Sequence, residues 1–351
     1  MKSEDFELLC KFKEFNVDSQ ILDFIPETIL NFVKFRPDGF LFEGSRRRLA
    51  LWIFAGQEND LQRQFAVLNL FQRHGFNGFL YPVRLANGNW YSQFDQRSWF
   101  WLTELPKLSK IRFHDWTDLT SLVDLIIEVR KIIFNEYEVV SGLIPDKFRE
   151  SNLLKKFQNM IENLNSFALL AKHRIHPTRF DRLFLTAFPD ILNDAADAYR
   201  ILKDSNYIDV AQERSKQNFL IHKFPRKNFG KSTDAGLLCL TIKKWRWNLA
   251  ILDLAEILVE SGRSNQWRRE WYECVVDRYQ KHFSLSPPEQ KVLHAYLKFP
   301  WDLFRIVQKY YFNLSEWPLH DFIEKIERRL IAEPNRQRFF NTLEKRNQLL
   351  S

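Results

Sequence analysis

The feature that most constrains the fold of this chain is a change in hydrophobic periodicity near residue 105. Before that point, short apolar and aromatic runs alternate with turn residues, which is typical of strands joined by tight connections. After it, apolar residues recur at intervals of three and four nearly to the end of the chain, as in amphipathic helices. We therefore predict an α+β protein, with a small antiparallel sheet in residues 1–104 and a mostly helical region in residues 105–351.

In the first region, strands are predicted at residues 32–35, 40–42 and 49–54. Apolar residues at helical spacing follow from 61 to 71, and Gly75 is placed to end that helix.

The sequence around Asn87 and Gly88 predicts a hairpin, because Asn-Gly suits a left-handed turn. Residues 79–85 and 90–94 would form its two strands, and residues 98–104 another strand of the same sheet.

In the helical region, Thr117 is predicted to cap a helix whose core face is Leu122, Ile126, Val129 and Ile133. Further helices are expected at 150–171, 190–203 and 248–260, with Gly262 ending the last of these and a short strand at 237–242.

Composition narrows the class of protein. The chain has 33 Phe and 11 Trp but only 10 Gly, so it is rich in large side chains for packing and poor in flexible positions. A formal net charge of +8 favours acidic partners or surfaces. Cys10, Cys239 and Cys274 form no CxxC pair, which argues against a disulfide framework and a zinc site. The acidic N-terminus does not resemble a signal peptide, and no apolar run reaches the roughly 18–20 residues of a membrane span.

Three stretches carry a family resemblance. Residues 284–340, with PPE at 287–289, FPW at 299–301 and YYFN at 310–313, resemble the C-terminal part of CotS-like spore coat proteins. Residues 218–257 resemble the catalytic segment of aminoglycoside phosphotransferases. The first region is similar to an ATP-cradling lobe. The resemblance implies a protein-kinase-like fold with an N-terminal lobe at 1–104 and a helical C-terminal lobe at 105–351.

By the same resemblance, the positions that carry phosphoryl transfer are degenerate. Trp52 stands where the family has its ATP-binding lysine, and Phe224 stands where it has the proton-accepting aspartate. Thr241 replaces the magnesium-binding aspartate. His222 and Asn228 are predicted to be vestiges of the catalytic loop.

Asp253 matches a helix aspartate that, in kinase-like folds, accepts hydrogen bonds from the catalytic-loop backbone. We predict a structural role for it, and the alternative is a solvent-facing helix residue. His173 and His176, with Asp181 nearby, could suggest a metal site, but two surface histidines are the favoured interpretation.

These observations predict a non-catalytic pseudokinase that is a structural or assembly protein of the bacterial endospore coat. The alternative is an ATP-dependent phosphotransferase for a small molecule or protein, with an atypical site. We expect no cofactor, and whether nucleotide binds without turnover is left open. Other coat proteins are the expected partners, with synthesis in the cytoplasm of the mother cell followed by delivery to the coat. No membrane partner is expected.

A third interpretation comes from the basic and aromatic segment 243–247, which could bind nucleic acid through charge and stacking. The favoured interpretation places these residues at the cleft edge as packed indoles flanked by cations, so nucleic acid is not an expected partner.

Overall fold

In the computed structural model, the described residues are 10, 14, 18–36, 39–143, 152–213, 217–220, 228–234, 236–240, 246–312 and 317–350. The chain forms two compact units. The first, which we call the sheet unit, consists of Met1–Ile111, Asn135–Pro145 and Pro225–Trp245. The second, the helical unit, consists of Arg112–Phe134, Asp146–Phe224 and Arg246–Ser351. The predicted division after residue 104 stays a prediction.

The strands are β1 (Ile29–Arg36), β2 (Gly39–Gly44), β3 (Arg48–Ala55), β4 (Pro82–Val83), β5 (Ser92–Asp95), β6 (Ser98–Glu104), β7 (Gln217–Leu220), β8 (Phe229–Ser232), β9 (Gly236–Cys239) and β10 (Arg246–Leu249).

The helices are α1 (Glu58–Arg73), α2 (Trp116–Asn135), α3 (Tyr137–Leu143), α4 (Leu153–Lys172), α5 (Arg179–Lys203), α6 (Tyr207–Gln212), α7 (Ile251–Ser264), α8 (Arg269–Gln280), α9 (Pro287–Lys298), α10 (Trp301–Tyr311) and α11 (Leu319–Leu350). A short 3-10 helix, Ser19–Phe24, precedes β1.

The main sheet of the sheet unit is antiparallel, with strand order β1-β2-β3-β6-β4 and with β5 also paired to β6. Side chains alternate across it, because successive residues of a strand point to opposite faces. One face buries Phe32, Phe42, Leu49 and Leu51 against the segment around the 3-10 helix. The other face buries a cluster that we call the Trp52 cluster: Leu41, Ala50, Trp52, Phe54, Leu61, Leu80, Trp101, Leu105, Leu238 and Leu240.

The β8–β9 hairpin lies far along the chain but belongs to the sheet unit. The amide of Cys239 donates to the carbonyl of Gly78 at 2.8 Å, and Ser109 and Lys231 exchange backbone hydrogen bonds. Leu238 and Leu240 complete the Trp52 cluster.

The predicted hairpin at 79–94 is wrong in its pairing. The turn itself forms, with Gly88 at φ +83°, and the amide of Leu85 donates to the carbonyl of Asn89 at 2.8 Å. However, β4 and β5 both pair with β6 instead of with each other. One edge of the apolar strand β6 pairs with β3. Its other edge is open for pairing, and β4 and β5 each pair with part of it.

Several predicted helix boundaries are also wrong. Helix α2 begins before Thr117, and the carboxylate of Asp115 accepts the amides of Thr117 and Asp118 at 3.0 and 3.2 Å. A carboxylate at this end also complements the helix dipole. The predicted core face of α2, including Leu122 and Ile133, is buried as expected.

Gly262 does not end α7, which continues to Ser264. The chain reverses afterwards at Gln266 and Trp267, both with positive φ. A Cβ on Gly262 would lie 2.8 Å from the Trp267 ring, so the glycine allows close packing instead of a helix stop. The helix also begins at Ile251, later than predicted, because Arg246–Leu249 is a strand paired with β7.

In the helical unit, α5 packs against α4, α9 and α11. It begins earlier than predicted because Thr178 and Asp181 form a capping box. No helix among the described residues is both long and apolar enough to cross a membrane.

The residues that carry the CotS-like resemblance are packing residues of this unit. Glu289 closes a capping box with Ser286 at the start of α9. The ring of Phe299 lies 4.7 Å from that of Trp301, and Tyr310 stacks on Phe180 at 4.0 Å. They therefore determine how helices meet.

Candidate functional site

Trp52 lies at the centre of the candidate site, on β3. It pairs with Gly39 on β2 and Trp101 on β6, and only 1% of its surface is exposed. Its indole Nε1 donates to the hydroxyl of Thr103 at 2.9 Å. The polar atom of the side chain is therefore satisfied inside the sheet unit, and the rest of the ring is core.

An apolar residue of α1 shares the cluster with Trp52. Leu61 is fully buried there. In protein kinases, a lysine on the third strand forms an ion pair with a glutamate of the following helix. In this chain, the third strand and the following helix contribute an indole and an isobutyl group to one apolar cluster.

Arg36 places a cation beside Trp52. Its guanidinium carbon lies 5.6 Å from the Trp52 ring centroid, a cation–π distance. The same guanidinium donates to Oδ1 of Asn228 at 3.4 Å. The carbonyl of Asn228 in turn accepts the amide of Leu240 at 2.7 Å.

The structure thus brings together two of the residues singled out in the sequence, Trp52 and Asn228, through Arg36. Sequence reasoning missed Arg36. Its position at the end of β1 was the available signal. His222, Phe224, Thr241 and the segment 243–245 lie outside the described residues.

In the arginine run at 46–48, the side chain of Arg47 faces Glu104 at 3.7 Å. Backbone amides of Arg46 and Arg47 donate to Glu27, and the side chain of Arg48 faces Glu43 at 3.7 Å. These hydrogen bonds lower the pKa of Glu27. The run is therefore engaged at the beginning of β3.

Asp253 lies in the first turn of α7, with 2% of its surface exposed, so it is not the solvent-facing residue of the alternative interpretation. Its charge acts on Tyr279, whose hydroxyl accepts a hydrogen bond from Arg130. Burial is the main cause that raises the pKa of Tyr279 to about 12. The predicted bond to the catalytic-loop backbone stays a prediction.

Of the residues that the structure describes, no group of three or more His, Cys, Asp or Glu is placed to hold a metal ion. His173 and His176 are exposed. Asp181 is bound instead by Arg174 at 3.0 Å, Tyr311 at 2.7 Å and its own capping box.

A family model described as "Spore coat putative kinase YutH" matches residues 152–343 of the chain. The chain belongs to this YutH family. Membership confirms the predicted relation to spore coat proteins of the kinase-like superfamily. The match begins after the main sheet, so the family is recognised largely through the helices and the β8–β9 hairpin.

Solved structures resemble this YutH family member over most of its length. An aminoglycoside phosphotransferase from Alicyclobacillus acidocaldarius superposes with a TM-score of 0.79, at 16% identity over 93% of this chain and 94% of that chain. An AMP-bound spectinomycin phosphotransferase, APH(9)-Ia, gives 0.64 at 9% identity over 89% and 94%. A microcompartment-associated aminopropanol kinase gives 0.59 at 8% over 92% and 96%. These likenesses confirm the predicted kinase-like fold. No curated protein matches the sequence.

The fold implies that ATP and magnesium bind. However, the residues around Trp52 do not fit ATP with magnesium. ATP phosphates require a cation held close to them, whereas Trp52, at the position that the family resemblance predicts for that cation, is a buried indole. In this YutH family member, the guanidinium of Arg36 lies beside the ring of that indole.

Proposed function

We propose that this chain is a non-catalytic pseudokinase that serves as a structural or assembly protein of the endospore coat. The observation that carries the proposal is Trp52, buried in the core of the sheet unit with its indole N–H bound to Thr103.

The physical reason is that catalysis of phosphoryl transfer depends on positioning and on charge stabilisation. A side chain that is locked in a core by packing and by a satisfied hydrogen bond cannot swing out to let a cation take its place. The ATP-binding position is therefore converted into a part of the hydrophobic core.

Membership of the YutH family supports the coat assignment. We propose synthesis in the mother cell, followed by incorporation into the coat through contacts with other coat proteins. No cofactor is proposed. The aromatic and basic surface of the chain suits protein contact, with a formal net charge of +8.

The test of lost catalysis is a thermal-shift titration with ATP and magnesium, followed by an ATP-turnover assay. A ligand at 100 times its dissociation constant stabilises a protein by about 2.7 kcal/mol. We expect no shift for this chain, and an active aminoglycoside phosphotransferase measured in parallel should show one. Saturable stabilisation together with turnover would contradict the proposal.

The test of the coat role is the location of a fluorescent fusion during sporulation. We expect a ring around the forespore that survives release of the spore and is removed by coat extraction. Fluorescence that stays diffuse in the mother cell would contradict the coat role and leave the result of the ATP titration unaffected.

Arg36 supports a second candidate, an ATP-dependent phosphotransferase with an atypical phosphate site. Its guanidinium lies beside Trp52 and Asn228, where it could meet a phosphate. If ATP does stabilise the chain, Arg36→Gln should abolish the shift. Arg84→Gln is the matched control, because Arg84 also lies over an indole, that of Trp90 at 4.4 Å, and should leave the shift intact.

A further inference from the structure

The helical unit contains a concentrated basic surface at α10 and α11. An open pocket of about 280 Å³ lies there, with one aromatic ring, Trp317, and one carboxylate, Asp302, in its lining. We call this pocket the basic groove. The cations that line it are Arg263, Arg305, Lys309, Lys325, Arg328 and Arg329.

Four of these cations form two pairs at helical spacing, while Arg263 comes from a third helix, α7. Arg305 and Lys309 lie four residues apart on α10, while Lys325 and Arg329 lie four apart on α11. With a rise of 1.5 Å per residue, such pairs are about 6 Å apart along each helix axis. Alternate side chains of an extended peptide repeat at about 6.6 Å. The two rows therefore match an extended segment with acidic residues at alternate positions.

Trp317 organises two of these cations. The ammonium of Lys309 lies 4.4 Å from the centroid of its ring, and that of Lys325 lies 4.2 Å from it. Cation–π contacts of this kind hold the flexible lysine side chains in place. They also occupy the ring, so a nucleic-acid base could stack on Trp317 only by displacing a cation.

The cations of the groove differ in how firmly carboxylates hold them, and Arg263 is held firmly because its pairs with Glu260 and Asp302 are largely buried. Asp302 is shared between Arg263 and Arg329, with 3.7 Å to the latter. Arg328 is 64% exposed and pairs with Glu324 at 3.1 Å on its own helix. Exposed pairs of this type are worth about 0–1 kcal/mol, so carboxylates of a ligand can replace them.

We infer that the basic groove binds an acidic polypeptide segment of a partner protein in an extended conformation. Charge complementarity, the spacing of the two cation rows and the occupied indole ring all favour this ligand class. The inference is independent of whether the sheet unit turns over nucleotide, because every residue of the groove belongs to the helical unit.

The probe is a fluorescein-labelled twelve-residue peptide of alternating glutamate and serine, titrated with the full chain by fluorescence anisotropy. A glutamine–serine peptide is the charge control, and a labelled oligo-dT of equal length tests nucleic acid. We expect saturable binding of the acidic peptide that weakens as salt rises, since exposed charges are screened, and weaker binding of oligo-dT.

The test variant is the double substitution Lys309→Gln and Arg328→Gln, which removes one cation from α10 and one from α11. We expect a loss of affinity of about tenfold, as for two rim charges. Arg200→Gln is the matched control, because Arg200 is 72% exposed and pairs with Asp197 on its own helix. The Arg200→Gln variant should bind the acidic peptide as tightly as the unchanged chain does. Circular dichroism melting of each variant establishes that it is folded.

Four outcomes overturn the inference. They are no binding of the acidic peptide up to about 1 mM, equal binding by the double variant, equal loss in Arg200→Gln, or tighter binding of oligo-dT through Lys309 and Arg328. The first three exclude a site at the groove, and the last assigns it to nucleic acid.

Discussion

The Trp52 cluster of the sheet unit and the ion network at the C-terminal helices differ in the kind of side chain that they bury. Around Trp52, the described side chains of the cluster are apolar. In the helical unit, Arg336 is 6% exposed, yet it donates to Asp194, to Glu333 at 2.7 Å and to the carbonyl of Lys298 at 2.8 Å.

The comparison indicates that buried charged side chains occur where they join helices. Burial raises the pKa of Asp194 and of Glu333, and Arg336 opposes that rise in both. The carboxylates therefore depend on one guanidinium that connects α11 with α5 and with the end of α9. Buried charge thus joins helices in the helical unit, whereas the Trp52 cluster of the sheet unit is apolar.

The largest effect is expected from Trp52→Lys. This substitution introduces the residue that the family resemblance predicts at this position in an active kinase. Loss of a buried Trp costs about 3–5 kcal/mol, and an ammonium in the vacated apolar space adds further cost. We expect destabilisation of about 5 kcal/mol or more, without ATP binding. Urea unfolding followed by circular dichroism measures it.

Trp52→Phe is the control, since it removes the bond to Thr103 and part of the ring but adds no charge. We expect a much smaller loss, about 2 kcal/mol. A stable Trp52→Lys protein that binds ATP would show that the position is still a nucleotide site.

A second test addresses the helical unit. Arg336→Met should cost about 3–5 kcal/mol in the free energy of unfolding, because it leaves Asp194 and Glu333 buried without their cation. Arg200→Met, at an exposed ion pair, should change stability by less than about 1 kcal/mol. Equal, small losses in both variants would mean that the network does not hold the helices together.

The smallest expected effect concerns Asp181. Burial opposes its charge, but hydrogen bonds from Tyr311 and Thr178, with the charge of Arg174, lower its pKa below the ordinary 3.8. Its contribution to stability is therefore present above pH 3.8 and is lost as pH falls through the lower pKa of the folded state.

We expect Asp181→Asn to cost about 1–2 kcal/mol at pH 7 and progressively less as the pH falls below 4. Urea unfolding between pH 7 and pH 3 measures the difference from the unchanged chain. Asp209→Asn, at an exposed residue, should show no such trend. A difference that grows toward low pH would contradict the lowered pKa.

The overall fold could be predicted because periodicity reports burial directly. The strand at 98–104 and the core face of α2 follow from that pattern. Pairing could not be predicted in the same way, since β4 and β5 are too short to specify a partner and use the edge of β6. Gly262 was misread because a glycine that permits close ring packing looks, in sequence, like a helix stop.

The candidate site could be predicted only in part. Trp52 was placed on the third strand from its apolar neighbours, but its bond to Thr103 depends on the register of β3 with β6. Arg36 and Asn228 are 192 residues apart, and no local pattern reports such a contact. The basic groove likewise depends on how α10 and α11 meet, which spacing within one helix does not contain.

The late position of the β8–β9 hairpin has a consequence for biogenesis. The sheet emerges from the ribosome first, yet Leu238 and Leu240 of its buried cluster are among the residues made much later. At the usual 5–20 residues per second, that delay is on the order of ten seconds. During this interval, one apolar face of the nascent sheet lacks the part of its cover that Leu238 and Leu240 supply, so chaperone occupancy should peak there and fall once the hairpin is released.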